Sequence, residues 1–100
     1  MNTTITEISP DKVLVKVTGE MDTLSSEQFK QDVAPLMDRK GLALELDLGE
    51  LEYIASRGLR VILSLAQSLT PSGGSLKVTA VSPAVREVFD LTGFTNIFLS

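Results

Sequence analysis

Leu42-Ala43-Leu44-Glu45-Leu46-Asp47-Leu48-Gly49 is the stretch that decides the fold. Leucines at 42, 44, 46 and 48 alternate with Ala43, Glu45, Asp47 and Gly49, the period of two that sends successive side chains to opposite faces of a strand. Leu51 to Ala55 reads as a short connection, and then the period changes. From about Ser56 to Leu69, Arg57, Arg60, Ser64 and Gln67 fall on one stripe and Leu59, Ile62, Leu63, Ala66 and Leu69 on the opposite one. That is an amphipathic helix with one face to bury. Pro71-Ser72-Gly73-Gly74 is loop chemistry, and Ser75 to Val81 returns to strand. The unit is strand, helix, strand, which pairs in parallel through a right-handed crossover.

Upstream, Thr3 to Ile8 is a weak strand and Ser9-Pro10-Asp11 a turn. Lys12 to Thr18 alternates again, with Val13, Val15 and Val17 on one face. The two strands form an antiparallel hairpin. Gly19-Glu20-Met21-Asp22 breaks the pattern. Ser25 then opens a helix, with Gln28 three residues on in capping-box spacing, and Phe29, Val33, Leu36 and Met37 make one apolar stripe. Pro35 predicts a kink or an early stop, since proline inside a helix costs about 3 kcal/mol; Gly41 is the expected terminator. Downstream, Ser82-Pro83 is an N-cap followed by proline at the first helical position. Val85, Val88 and Phe89 line that helix, Gly93 ends it, and Asn96 to Leu99 reads as a last short strand. The expectation is one α/β domain over residues 1–100, ordered β-β-α-β-α-β-α-β. It has a mixed sheet of four to five strands, helices near 25–39, 56–69 and 83–92, and those helices packed mainly on one face.

Composition narrows the function classes. The 100 residues are 43% hydrophobic, enough for one core, with net charge −4 and neither histidine nor cysteine. No run of Lys or Arg tracks a phosphate backbone, so nucleic-acid binding is not expected. No apolar run approaches the roughly 18 residues of a membrane helix, and Met1-Asn2-Thr3-Thr4 does not begin a secretory signal. A cytoplasmic protein without membrane insertion is expected. Without histidine the commonest general base is missing, and without cysteine so are the soft zinc ligands. Gly73-Gly74 lacks the frame of a phosphate-binding loop. A magnesium site among Asp22, Asp47, Glu50 and Glu52 is weaker than the reading of these as solvated loop acids. No catalytic residue, metal or cofactor is expected.

Tyr53-Ile54-Ala55-Ser56-Arg57-Gly58-Leu59-Arg60 remains. Ser56 stands at or just before a helix N-terminus. One reading is an N-cap, worth about 1 kcal/mol. The other is a phosphorylation site, where phosphate would lie against free N–H groups and the positive end of the helix dipole. Gly58 either lets the chain approach the sheet or clears space around the Ser56 hydroxyl. Arg60, one turn beyond Ser56 on the same face, is either a solvated arginine or a contact residue.

Several segments in order resemble the STAS family, and within it the bacterial anti-sigma factor antagonists. Gly19-Glu20-Met21-Asp22 resembles the family's Gly-Glu-Leu-Asp turn. Leu46-Asp47-Leu48, followed by Leu51 and Tyr53 to Leu59, resembles the third strand entering the Met-Asp-Ser-Ser-Gly-Leu segment. Gly73 to Val78, Val81 to Arg86 and Phe89 to Phe94 resemble the fourth strand and third helix. The resemblance implies that Ser56 is the phosphorylated serine and that Asp22, Ala55, Arg57, Gly58, Arg60 and Ser64 meet the partner. Ala55 stands where the family has aspartate, and Arg57 where it has a second serine. The implied partners are an anti-sigma factor that is also a serine kinase of the histidine-kinase-like ATPase fold, and a metal-dependent serine phosphatase. The free protein is implied to be a monomer and to catalyse nothing. Two other readings stay open: a stand-alone STAS scaffold of a stressosome, response-regulator or transporter complex not switched at Ser56, and a small enzyme using its carboxylates.

Overall fold

The computed structural model describes residues 1–99 of the chain. The order is β1 (Asn2–Ser9), β2 (Lys12–Met21), α1 (Thr23–Met37), β3 (Ala43–Ile54), α2 (Ser56–Leu69), a 3-10 turn (Thr70–Ser72), β4 (Ser75–Val81), α3 (Pro83–Thr92) and α4 (Phe94–Phe98). The sheet has four strands in the order β1-β2-β3-β4. β1 and β2 are antiparallel, with Ile5 opposite Val15. β2 and β3, and β3 and β4, are parallel, as strands joined through helices must be.

The alternating residues separate as their period requires. Val13, Val15 and Val17 of β2 and Leu44, Leu46 and Leu48 of β3 are buried with Phe29 and Val33 of α1, Ile62 and Leu65 of α2, and Val85 and Phe89 of α3 in one core. The other face of the sheet carries charge. Lys12 pairs with Glu45 at 2.8 Å, and Lys16 pairs with Glu50. Packing a helix over that face would desolvate those ions without apolar area in return, so the helices gather on the leucine and valine side.

Four expectations are corrected. Asn96 to Leu99 is not a strand: Phe94–Phe98 is a short helix. Phe94, Ile97 and Phe98 are spaced i, i+3, i+4, and the Phe94 ring packs against Phe89 at 5.6 Å and Phe98 at 5.5 Å between centroids. β3 does not end at Gly49 but runs on to Ile54, so the expected connection is sheet. α1 opens at Thr23, not Ser25, because the Asp22 carboxylate accepts the Ser25 N–H at 2.8 Å and so caps the helix. The buried stripe of α2 is Leu59, Val61, Ile62, Leu65 and Leu69, with Leu63 and Ala66 only half-buried. Pro35 is accommodated two residues before the end of α1 at Met37. Gly93 closes α3 with φ +83°.

Candidate functional site

The site forms where β2 and β3 end side by side. Their register pairs Glu20 with Tyr53 and Met21 with Ile54, and the Ala55 N–H donates to the Met21 carbonyl at 2.8 Å. The next residues of the two strands, Asp22 and Ala55, are therefore neighbours, and each is the N-cap of a helix. Positive helix ends at the carboxyl edge of adjacent parallel strands are where open α/β sheets present their functional groups.

The two N-termini are not equivalent. α1 is capped by the Asp22 carboxylate, whose titration is held below the ordinary aspartate value chiefly by the Ser25 N–H. The Ser26 hydroxyl, fully buried, donates to the Asp22 carbonyl at 2.6 Å and fixes the same turn. α2 has alanine at its cap, with no side chain to accept a hydrogen bond. Ser56 is its first helical residue, exposed, so the N-cap reading of Ser56 is corrected: that position belongs to Ala55. The first intrahelical bond at this end runs from the Leu59 N–H to the Ala55 carbonyl at 3.2 Å. The amides of Ser56, Arg57 and Gly58 precede it and are the donors a helix leaves open at its start.

Gly58 is buried. A Cβ there would stand 2.5 Å from the Met21 sulfur and 3.0 Å from Ile54 Cγ1, so internal packing at the crossing of α2 over the strand ends accounts for the glycine. Arg57 is half-exposed and pairs with Glu27 of α1. Arg60 and Ser64 follow along the same exposed side. Together they form one wall of a groove of about 240 Å³ whose other wall is Glu27, Lys30 and Met37 of α1. Three of the sequence-derived positions, Arg57, Arg60 and Ser64, thus share one groove, while Asp22, Ala55 and Ser56 share the strand-end corner beside it. Lys30 and Glu27 went unnoticed in the sequence because they read there only as the polar side of α1. Two exposed apolar residues also flank the corner unannounced, Leu24 at 83% exposure and Tyr53 at 49%.

A second, apolar groove runs between α2 and α4, with Leu63, Ala66, Pro71, Ile97 and Phe98 in its walls. Asp22 and Glu52 line neither groove. Among the described residues, no three acidic side chains converge as metal ligands would, and no helix is long and apolar enough to cross a membrane.

The family described as "Mlab, STAS domain" matches residues 5–100. BtrV of Bordetella bronchiseptica, named a candidate anti-sigma factor antagonist, is 40% identical over 80 residues, spanning 80% of this chain and 69% of that one. The anti-sigma-B factor antagonist of Bacillus subtilis is 31% identical over 85 residues, covering 85% of this chain and 77% of its own. The crystal structure of an anti-sigma factor antagonist from Mycobacterium paratuberculosis superposes with a TM-score of 0.83 at 28% identity, over 97% of this chain and 81% of that one. Strand order, helix placement and a match over nearly the full length agree: this chain belongs to the STAS domain family.

Proposed function

We propose that this protein is an anti-sigma factor antagonist that binds a serine-kinase anti-sigma factor and is switched off by phosphorylation of Ser56. One observation carries the reading. Ser56 is exposed on the first turn of α2, at the corner where β2 and β3 deliver Asp22 and Ala55, next to amides that the uncapped helix leaves open. The curated relatives bearing the antagonist name support the partner class. Unmodified Ser56 lies inside the contact surface with Asp22, Ala55, Arg57, Arg60 and Ser64, while Gly58 shapes it from beneath. Binding the kinase releases the sigma factor and so regulates transcription; a metal-dependent serine phosphatase returns the antagonist to its binding state. The protein is monomeric when free and itself carries out no reaction.

The switch follows from charge. A phosphate adds about −1.5 to −2 charges and three acceptor oxygens. Glu20, Asp22, Glu50 and Glu52 are exposed at this end of the sheet. Desolvating a further charge there without a paired cation costs several kcal/mol, and each ~1.4 kcal/mol is a tenfold loss of affinity. No internal rearrangement is needed.

Ser56→Asp therefore weakens partner binding and Ser56→Ala does not. The Ser56 hydroxyl caps nothing, so the alanine variant stays within about 0.5 kcal/mol of wild-type stability, as exposed substitutions do. Calorimetric titration of the histidine-kinase-like ATPase encoded nearest to this protein, against wild type and both variants, checks the order. Incubation with that kinase and ATP places a single phosphate on Ser56 by mass spectrometry. Equal affinity for all three proteins means that Ser56 lies outside the interface, and the stand-alone scaffold reading takes its place.

A further inference from the structure

We propose that the groove between α1 and α2 is a docking cleft for an acidic segment of the protein partner, receiving its carboxylates on Lys30, Arg57 and Arg60. The inference deepens the partner-binding reading above and rests on it only for which end of the molecule meets the partner.

The argument begins with where the positive charge lies. The protein is acidic overall, with nine Lys and Arg against thirteen Asp and Glu. Four of the nine cations are engaged elsewhere on the surface: Lys12 with Glu45, Lys16 with Glu50, Arg39 with Glu7 and Arg86 with Asp90. Lys30, Lys40, Arg60 and Lys77 have no carboxylate partner among the described residues, and two of these, Lys30 and Arg60, line this groove with Arg57. Three cationic side chains there face a single acid, Glu27, which holds Arg57. That pair is half-exposed on both sides, with 48% and 43% of the two side chains accessible. Exposed pairs of this kind are weak and exchange readily with a competing carboxylate.

The shape selects the ligand. About 240 Å³ admits one or two side chains and not a helix. Buried Val61 and half-buried Met37 give the cleft an apolar floor, and low-dielectric walls strengthen the field of the cations above them. The acids around the rest of the surface repel a long polyanion, so a nucleic-acid backbone does not fit; a short acidic protein segment does. Ser56 precedes Arg57 by one residue and lies one helical turn before Arg60. A phosphate on Ser56 would compete for the cations that the partner's carboxylates use, which gives the switch its attractive as well as its repulsive component.

The test uses isotope-labelled protein and an acetylated hexaglutamate peptide, followed by NMR titration at low salt. Shift changes concentrate on residues 30, 57, 60 and 64. Lys30→Gln and Arg60→Gln each weaken binding by about two- to fivefold, and Glu27→Gln, which frees Arg57, tightens it by a similar factor. Lys77→Gln, on the far face of the sheet with the same change in net charge, leaves it unaltered. Overturning results are shifts spread over the sheet face, Lys77→Gln weakening as much as Lys30→Gln, or Glu27→Gln failing to tighten. Absence of peptide binding overturns the cleft alone: the Ser56 reading is decided by kinase titration, which uses no peptide.

Discussion

Gly58 and Ser56 sit two residues apart and differ in what their neighbours permit. The Ser56 side chain faces solvent, so its chemistry is open to another protein. Gly58 faces Met21, which is fully buried, and a methyl group added there would overlap the thioether at 2.5 Å. Helix propensity favours alanine over glycine by about 1 kcal/mol, whereas overpacking a filled core costs about 1–3 kcal/mol. Gly58→Ala is therefore destabilised by about 1 kcal/mol net, as read by urea denaturation. The folded fraction keeps the partner affinity of wild type, because the added methyl points inward. An unchanged midpoint with lost binding would mean that Gly58 touches the partner directly.

At the level of elements, the two helix starts diverge because their caps do. Asp22 holds α1 through a charge, and its carboxyl titrates below the ordinary value. A group whose folded value is depressed contributes stability that is complete above its unfolded value, roughly pH 4 for aspartate, and is lost as pH falls through the folded value. The stability difference between wild type and Asp22→Ala is thus constant from neutral pH down to about pH 5 and narrows on further acidification. Urea unfolding followed by circular dichroism across that range checks it; a gap that widens in acid would contradict the cap. β3 shows the converse, an element whose end no local signal marks. Leu48, Leu51 and Ile54 are buried three apart, because the pairing with β2 shifts register between Lys16 and Thr18 and again between Gly19 and Glu20. Those irregularities hide the strand from a period of two, though they leave it hydrogen-bonded.

Across the whole molecule, stability is graded by position in the sheet. β2 and β3 are central, each flanked on both sides, and carry the fully buried valines and leucines. β1 is an edge strand, exposed over most of its length, and α4 closes the chain with no fully buried residue. Elements with few buried contacts open first. Amide exchange at neutral pH should be slowest at 13–17 and 44–48 and fastest in β1 and α4. Uniform protection across all four strands would show that the edge is held by something outside this domain.

The amino-acid sequence by itself determined the class of the fold, its single core face and the three long helices, because periods of two and 3.6 are local consequences of backbone geometry that survive any packing. It also brought Ser56 to the start of a helix and marked the turn at Asp22. What tertiary structure decided is everything that depends on who lies opposite. Asn96 to Phe98 is helical because Phe94 packs between Phe89 and Phe98, and residues 50–54 are strand because β2 continues alongside them. Asp22 and Ser56, thirty-four positions apart, share a corner only because Met21 and Ile54 pair in register. Lys30 meets Arg57 and Arg60 only because α1 and α2 pack side by side. Proximity between distant residues comes from strand register and helix packing, and those are set by the sum of contacts over the whole core.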